Sequence, residues 1–154
     1  MLLYLQKLQR KNYEGRMLSS IKEVLPMGEC SQWVVKRDYA DENRFKRYDK
    51  KHHAEVCSCA ANLVRLEVFL NGGGTLQQAL NFGFFGSEGE DVYRIGQTKV
   101  VGAKETRLYI YAKITGPEIQ VLTVGDKSSQ QADIRKCKEI VRSLKSSVTT
   151  TNNQ

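Results

Sequence analysis

The chain has 154 residues, with Lys+Arg 24 against Asp+Glu 17; it is 40% hydrophobic and 27% charged. That length suits one domain whose core can bury about two-thirds of the unfolded chain's surface with no disulfide staple, and two prolines and twelve glycines exclude collagen-like and proline-rich disordered classes. The formal net charge of +7 points to a polyanionic partner: nucleic acid, an acidic protein or an anionic membrane surface.

Residues 1–25 read as a helix. Leu5, Leu8, Met17, Leu18, Ile21 and Leu25 fall at mostly helical spacing, interrupted near Asn12 and Gly15, and Pro26 and Gly28 end the segment. No apolar run reaches the ~18 residues of a membrane helix. The opening Met1-Leu2-Leu3-Tyr4-Leu5 puts apolar residues before the charges, the reverse of a secretory signal. A cytoplasmic protein with no membrane partner is expected. Cys30, Cys57, Cys59 and Cys137 are expected to be reduced and unpaired.

Residues 31–39 read as a strand, since Trp33, Val34 and Val35 are strong strand formers. Asp41 is a plausible N-cap for a helix over 42–51. A second helix is expected over 54–70, with Val56, Cys59, Ala60, Leu63, Leu66 and Leu70 on one stripe. Asn71-Gly72-Gly73-Gly74 stops it. Residues 91–96 form a short strand. Residues 107–114 alternate: Leu108, Ile110, Ala112 and Ile114 face one way, and Arg107, Tyr109, Tyr111 and Lys113 the other. Turn chemistry at 115–118 leads to a strand over 119–124, so the pair reads as a hairpin. The loop 125–130 opens a last helix in which Ile134, Cys137, Val141 and Leu144 make a core stripe. Residues 146–154 carry no apolar periodicity and are expected to fray. The pattern is α+β: a small, mainly antiparallel sheet, two helices on one face, a C-terminal helix and an extra N-terminal helix. The expected boundaries are a helical extension at 1–30, a domain at 31–146 and a disordered tail at 147–154.

Three places offer chemistry. The outward face of the long strand alternates cations with rings at Arg107, Tyr109, Tyr111 and Lys113, with Arg94 on the preceding strand. Cations hold phosphates and rings stack on bases, or the face is simply solvated. The loop after the last strand sets Lys127, Ser128 and Ser129 where a helix begins, which suits an anion or plain capping. His52, His53, Cys57 and Cys59 invite a metal reading, but Cys57 and Cys59 are about 200° apart on a helix, so no metal is expected. A basic run, Arg44, Lys46, Arg47, Lys50 and Lys51, adds phosphate contacts or a solvated helix face.

Four stretches together resemble the RelE/ParE toxin superfamily, nearest its HigB-like and phage-related branch. They are the Leu-Asn-x-Gly helix end within 68–73, Tyr-Arg-Ile-Gly within 92–96, Arg-Leu-Tyr-Ile-Tyr within 107–114, and Val-Gly-Asp-Lys-Ser-x-Gln with the Lys-rich helix within 121–140. With the strand at Trp33 and the two following helices, the resemblance spans about 31–146. It implies the toxin of a toxin–antitoxin pair, an mRNA endoribonuclease acting on the ribosome and neutralised by an antitoxin protein. Carried over, Arg94, Arg107 and Lys127 are the catalytic cations, neutralising a phosphate under in-line attack by the RNA 2′-hydroxyl with no metal or other cofactor. Tyr109, Tyr111, Lys113, Arg44 and Arg47 would bind RNA. Members that cleave usually carry Tyr or His near the start of the last helix; this chain has Gln130, Gln131, Ala132 and Asp133. A free aspartate such as Asp126 or Asp133 is a weak base at neutral pH. The alternative is therefore a non-catalytic binder on the same fold, inhibiting gyrase or holding nucleic acid uncut.

Overall fold

The computed structural model describes residues 32–113 and 115–151, with side chains to 147. The expected helix over 1–25 and residues 152–154 lie outside the described residues. In chain order the elements are β1 (Val34–Lys36), α1 (Glu42–Asp49), α2 (His53–Asn71), α3 (Leu76–Ala79), β2 (Phe85–Gly89), β3 (Val92–Gly96), β4 (Thr106–Lys113), β5 (Glu118–Asp126) and α4 (Gln130–Thr151). The fold is α+β. One five-stranded sheet runs β1-β5-β4-β3-β2, antiparallel except for β1 beside β5. No described helix is long and apolar enough to cross a membrane.

β1 is shorter than the strand read from residues 31–39. The Asn71 side chain, at the end of α2, takes both backbone groups of Trp33: its Oδ1 accepts from Trp33 N at 2.7 Å and its Nδ2 donates to Trp33 O at 3.2 Å. Where β1 stops, Asp41 N donates to Leu122 O at 2.9 Å. α1 then runs beside the rest of β5 and covers what would be an open edge. Asp41 caps α1 by accepting from Arg44 N at 3.1 Å, and its other oxygen takes Lys136 Nζ at 2.9 Å. Replacing Asp41 by Ala should cost about 1–2 kcal/mol, read as a lower urea midpoint with unchanged slope.

All six stripe residues of α2 are buried. Leu108, Ile110 and Ala112 line one sheet face. Tyr109 and Tyr111 line the other and pack with Val92, Leu122, Cys137 and Val141 beneath α4. This corrects the reading of that second face as exposed: Tyr109 is 0% and Tyr111 8% accessible. The apolar stripe of α4 needs a surface, and these rings supply it. Neither tyrosine is free to stack on a base. Lys113 lies at the far end of β4 from Arg107, about 20 Å away along an extended strand.

Two elements escaped the sequence reading. β2 (Phe-Gly-Ser-Glu-Gly) is an edge strand whose glycines dilute the pattern. α3 is one turn, set by a capping box between Thr75 and Gln78. The Thr-x-x-Gln spacing is the signal that would have found it. Asp91 belongs not to β3 but to the β2–β3 turn, where Glu90 and Asp91 both have positive φ (56° and 62°). Ion pairs from α4 hold that unusual pair: Arg142 donates twice to Glu90 at 2.7 Å and Lys145 reaches Asp91 at 2.6 Å. α4 continues to Thr151, beyond the end of its apolar stripe and into the stretch expected to fray. Helix propagation adds one backbone hydrogen bond per residue and needs no apolar partner to do so.

Candidate nucleic-acid interface

β3 ends, β4 begins and β5 ends at one margin of the sheet. The register sets Gly96 opposite Arg107, and Arg107 opposite Gly125. Arg94 pairs with Tyr109, two residues along from Arg107, so both arginines lie on the face that α4 covers. Lys127 follows the last residue of β5. Glu105 marks the cluster: its carboxyl is held below the usual range first by its hydrogen bond from Arg107 and that residue's charge, with Lys127 and Arg94 adding to the effect. The register therefore brings Arg94, Arg107 and Lys127 to the same margin of the sheet.

They are not equally available. Arg107 is only 11% exposed; its guanidinium donates to Gln130 Oε1 and pairs with Glu105. Arg94, 40% exposed, pairs with Glu88 at 2.8 Å. Its guanidinium lies over Gly86, where a Cβ would stand 2.8 Å from it. Lys127 is exposed and makes no ion pair among the described residues. The Tyr109 hydroxyl sits beside this group, and burial pushes it up to about 12. It stays protonated at neutral pH.

The residues expected to bind RNA from α1 divide in two. Arg44 turns inward to the start of α4. Its Nη1 meets Asp133 Oδ1 at 2.7 Å, and its Nη2 reaches Asp133 Oδ2 at 2.9 Å and Ser129 Oγ at 3.2 Å. Asp133 is buried. The group rests on Gly125, where any Cβ would collide with Asp133 Oδ2 and stand 2.8 Å from Ser129 Oγ. Arg44 is therefore a structural cation first. Arg47 points outward, and with Arg44, Tyr48, Lys50, Lys51 and His52 lines a shallow concavity of about 500 Å³. Tyr48 ties this basic surface to the strand margin through its hydroxyl, 3.1 Å from Thr106 Oγ1.

The loop after β5 is organised by Asp126. Its Oδ1 accepts from Ser128 N at 2.8 Å, from Ser129 N at 3.2 Å and from the Ser128 hydroxyl, and its Oδ2 meets Lys104 at 2.6 Å. Ser129 immediately precedes α4, but its hydroxyl goes to Asp133 Oδ2 at 2.6 Å. The serine groups of the loop are satisfied within it, which leaves the exposed Lys127 side chain as the part of the loop open to an anion. Burial would raise the Asp126 carboxyl, but Lys104 and the three serine donors outweigh it and hold the group well below its usual range. A depressed carboxyl stabilises the fold above its unfolded value, and that contribution is lost as pH falls through the folded one. The parent should therefore lose stability below about pH 4 more steeply than Asp126→Asn does, by urea midpoints at successive pH values.

His53 and Cys57 share a face, whereas Cys59 turns into the core with its thiol 3.6 Å from Thr106 O. No group of three or more His, Cys, Asp or Glu among the described residues could hold a metal ion. Cys57, Cys59 and Cys137 are free thiols.

Comparison with known proteins finds no matching family model, no matching curated protein and no matching solved structure.

Proposed function

We propose that the chain is the toxin of a toxin–antitoxin pair and acts on mRNA, on the ribosome, at the strand margin holding Arg94, Arg107 and Lys127. The observation that carries this reading is the strand register, which brings Arg94, Arg107 and the end of β5 just before Lys127 to one margin of the sheet. Phosphate contacts from Arg47, Lys50 and Lys51 would extend the same basic surface. In the reaction, the RNA 2′-hydroxyl attacks phosphorus in line and the bond to the 5′-oxygen breaks. Lys127 and Arg107 neutralise charge on the phosphate oxygens. Arg107 swings from Glu105 to the phosphate to do so. Asp126 and Asp133 are committed to ion pairs, so the attacking hydroxyl loses its proton to solvent and the departing 5′-oxygen takes one from solvent, leaving a 2′,3′-cyclic phosphate. An acidic antitoxin segment would neutralise the protein by occupying the same cations.

A second reading has its own support. Glu88 and Glu105 already occupy Arg94 and Arg107, and Tyr109 is buried. A protein that binds nucleic acid or gyrase without cutting RNA needs only the outer cations Arg47, Lys50, Lys51 and Lys127. Induced expression in a bacterial host, read by new 5′ ends in mRNA, separates the readings: a nuclease makes them and a non-cutting binder does not. The first expects growth arrest that Arg107→Ala with Lys127→Ala relieves; arrest untouched by that pair of changes would overturn it.

A further inference from the structure

The turn from α1 into α2 brings three side chains into a relay that the reading above does not use. Asp49 closes α1, His53 opens α2, and Cys57 lies one turn further on. Asp49 Oδ1 is 3.0 Å from His53 Nδ1, and His53 Nε2 is 3.5 Å from Cys57 Sγ. The two ring nitrogens are thus divided between an orienting carboxylate and a thiol. Nucleophile, base within reach and a third group fixing the base is the arrangement of an activated nucleophile. The other described thiols have no such partner: Cys59 and Cys137 are buried, and burial pushes both up to about 12.

We propose that Cys57 is a reactive thiol that exchanges with small anionic disulfides, with His53 as its base and Asp49 positioning the ring. Sulfur attacks one sulfur of the disulfide as the thiol proton passes to His53 Nε2. The new bond joins Cys57 Sγ to that sulfur, the old S–S bond breaks, and the departing thiolate takes the proton back from the imidazolium. No oxidant beyond the disulfide is consumed. Burial and the charge of Asp49 raise the Cys57 thiol above its ordinary value. The resting group therefore keeps its proton, and a neighbouring base has work to do at the moment of attack. His53 is 70% exposed, so a reagent can approach. Lys50 and Lys51, exposed in the turn that joins Asp49 to His53, favour a disulfide bearing carboxylates, such as glutathione disulfide.

The test uses the full chain with Cys30→Ser, treated with glutathione disulfide and mapped by mass. Cys57 should be modified at least about tenfold faster than Cys59 or Cys137. His53→Gln, which keeps a polar amide but carries no base, should slow Cys57 at least about tenfold. Asp49→Asn should slow it as well, and Asp49→Glu should restore much of the rate, a rescue that a purely structural role would not give. Unfolding midpoints confirm that each variant is folded. Equal rates at all three thiols, or a Cys57 rate indifferent to His53→Gln in folded protein, would overturn the proposal.

Discussion

Replacing Arg44 by Met should destabilise the fold by about 3–5 kcal/mol, although the residue stands in a run of surface cations. Its partner Asp133 is only 2% exposed. Methionine fills the space of the guanidinium stem but leaves that carboxylate with the Ser129 hydroxyl as its one hydrogen-bond donor on a side chain. A buried carboxylate so deprived either keeps an uncompensated charge or takes up a proton, and both are costly. The site cannot relax downwards, because Gly125 lies directly beneath it. Arg44→Met with Asp133→Leu removes both charges and should recover most of the loss, since an apolar replacement of a whole buried pair is often neutral. Urea unfolding of the parent, both single variants and the double variant closes the cycle. A cost below about 1 kcal/mol for Arg44→Met would mean that the pair does not hold α4 in place.

The second large effect rests on the proposed function and is catalytic. Removing one preformed charge stabiliser from a phosphoryl or acyl transfer site commonly costs 10²–10³ in rate. Lys127→Ala is the cleaner variant, because the exposed ammonium makes no ion pair among the described residues and its loss should leave unfolding unchanged. Cleavage of a ribosome-bound mRNA should fall by about 10²-fold or more. Arg107→Ala should cost at least as much, but it also frees Gln130 and Glu105. Its stability must therefore be measured beside its rate, and Arg107→Lys should return part of the activity by restoring the charge. Full cleavage by Lys127→Ala would remove that residue from the site.

The elements built on strong periodicity were legible from the residues. The six-residue stripe of α2, the Asp41 cap, the glycine stop after Asn71 and the β4–β5 hairpin all appear where the pattern sets them. Alternation on β4 was equally legible, yet it could not say that both faces are buried. Tyrosine suits both a wet sheet face and a packed one, and the decision came from the apolar stripe of α4, remote in sequence. The charges were misleading for a related reason. Arg44 and Arg47 look alike in the chain, but one turn of helix geometry aims the first at buried Asp133 and leaves the second outside. Glu105 lies two residues before Arg107 on an extended segment, a spacing that fits their pairing, whereas Arg94 meets Glu88 only because β2 pairs with β3. The relay from Asp49 through His53 to Cys57 was half visible: the shared face of His53 and Cys57 follows from four-residue spacing, whereas Asp49 joins it only because the turn at 50–52 brings the end of α1 against the start of α2.

The most direct test of the proposed activity is to map the 5′ ends of total mRNA shortly after induction, for the parent and for Lys127→Ala. An RNA-cleaving toxin produces growth arrest with new 5′ ends that are lost or sharply reduced in the variant. Arrest with intact mRNA would contradict cleavage and leave the strand margin as a binding surface for a protein target.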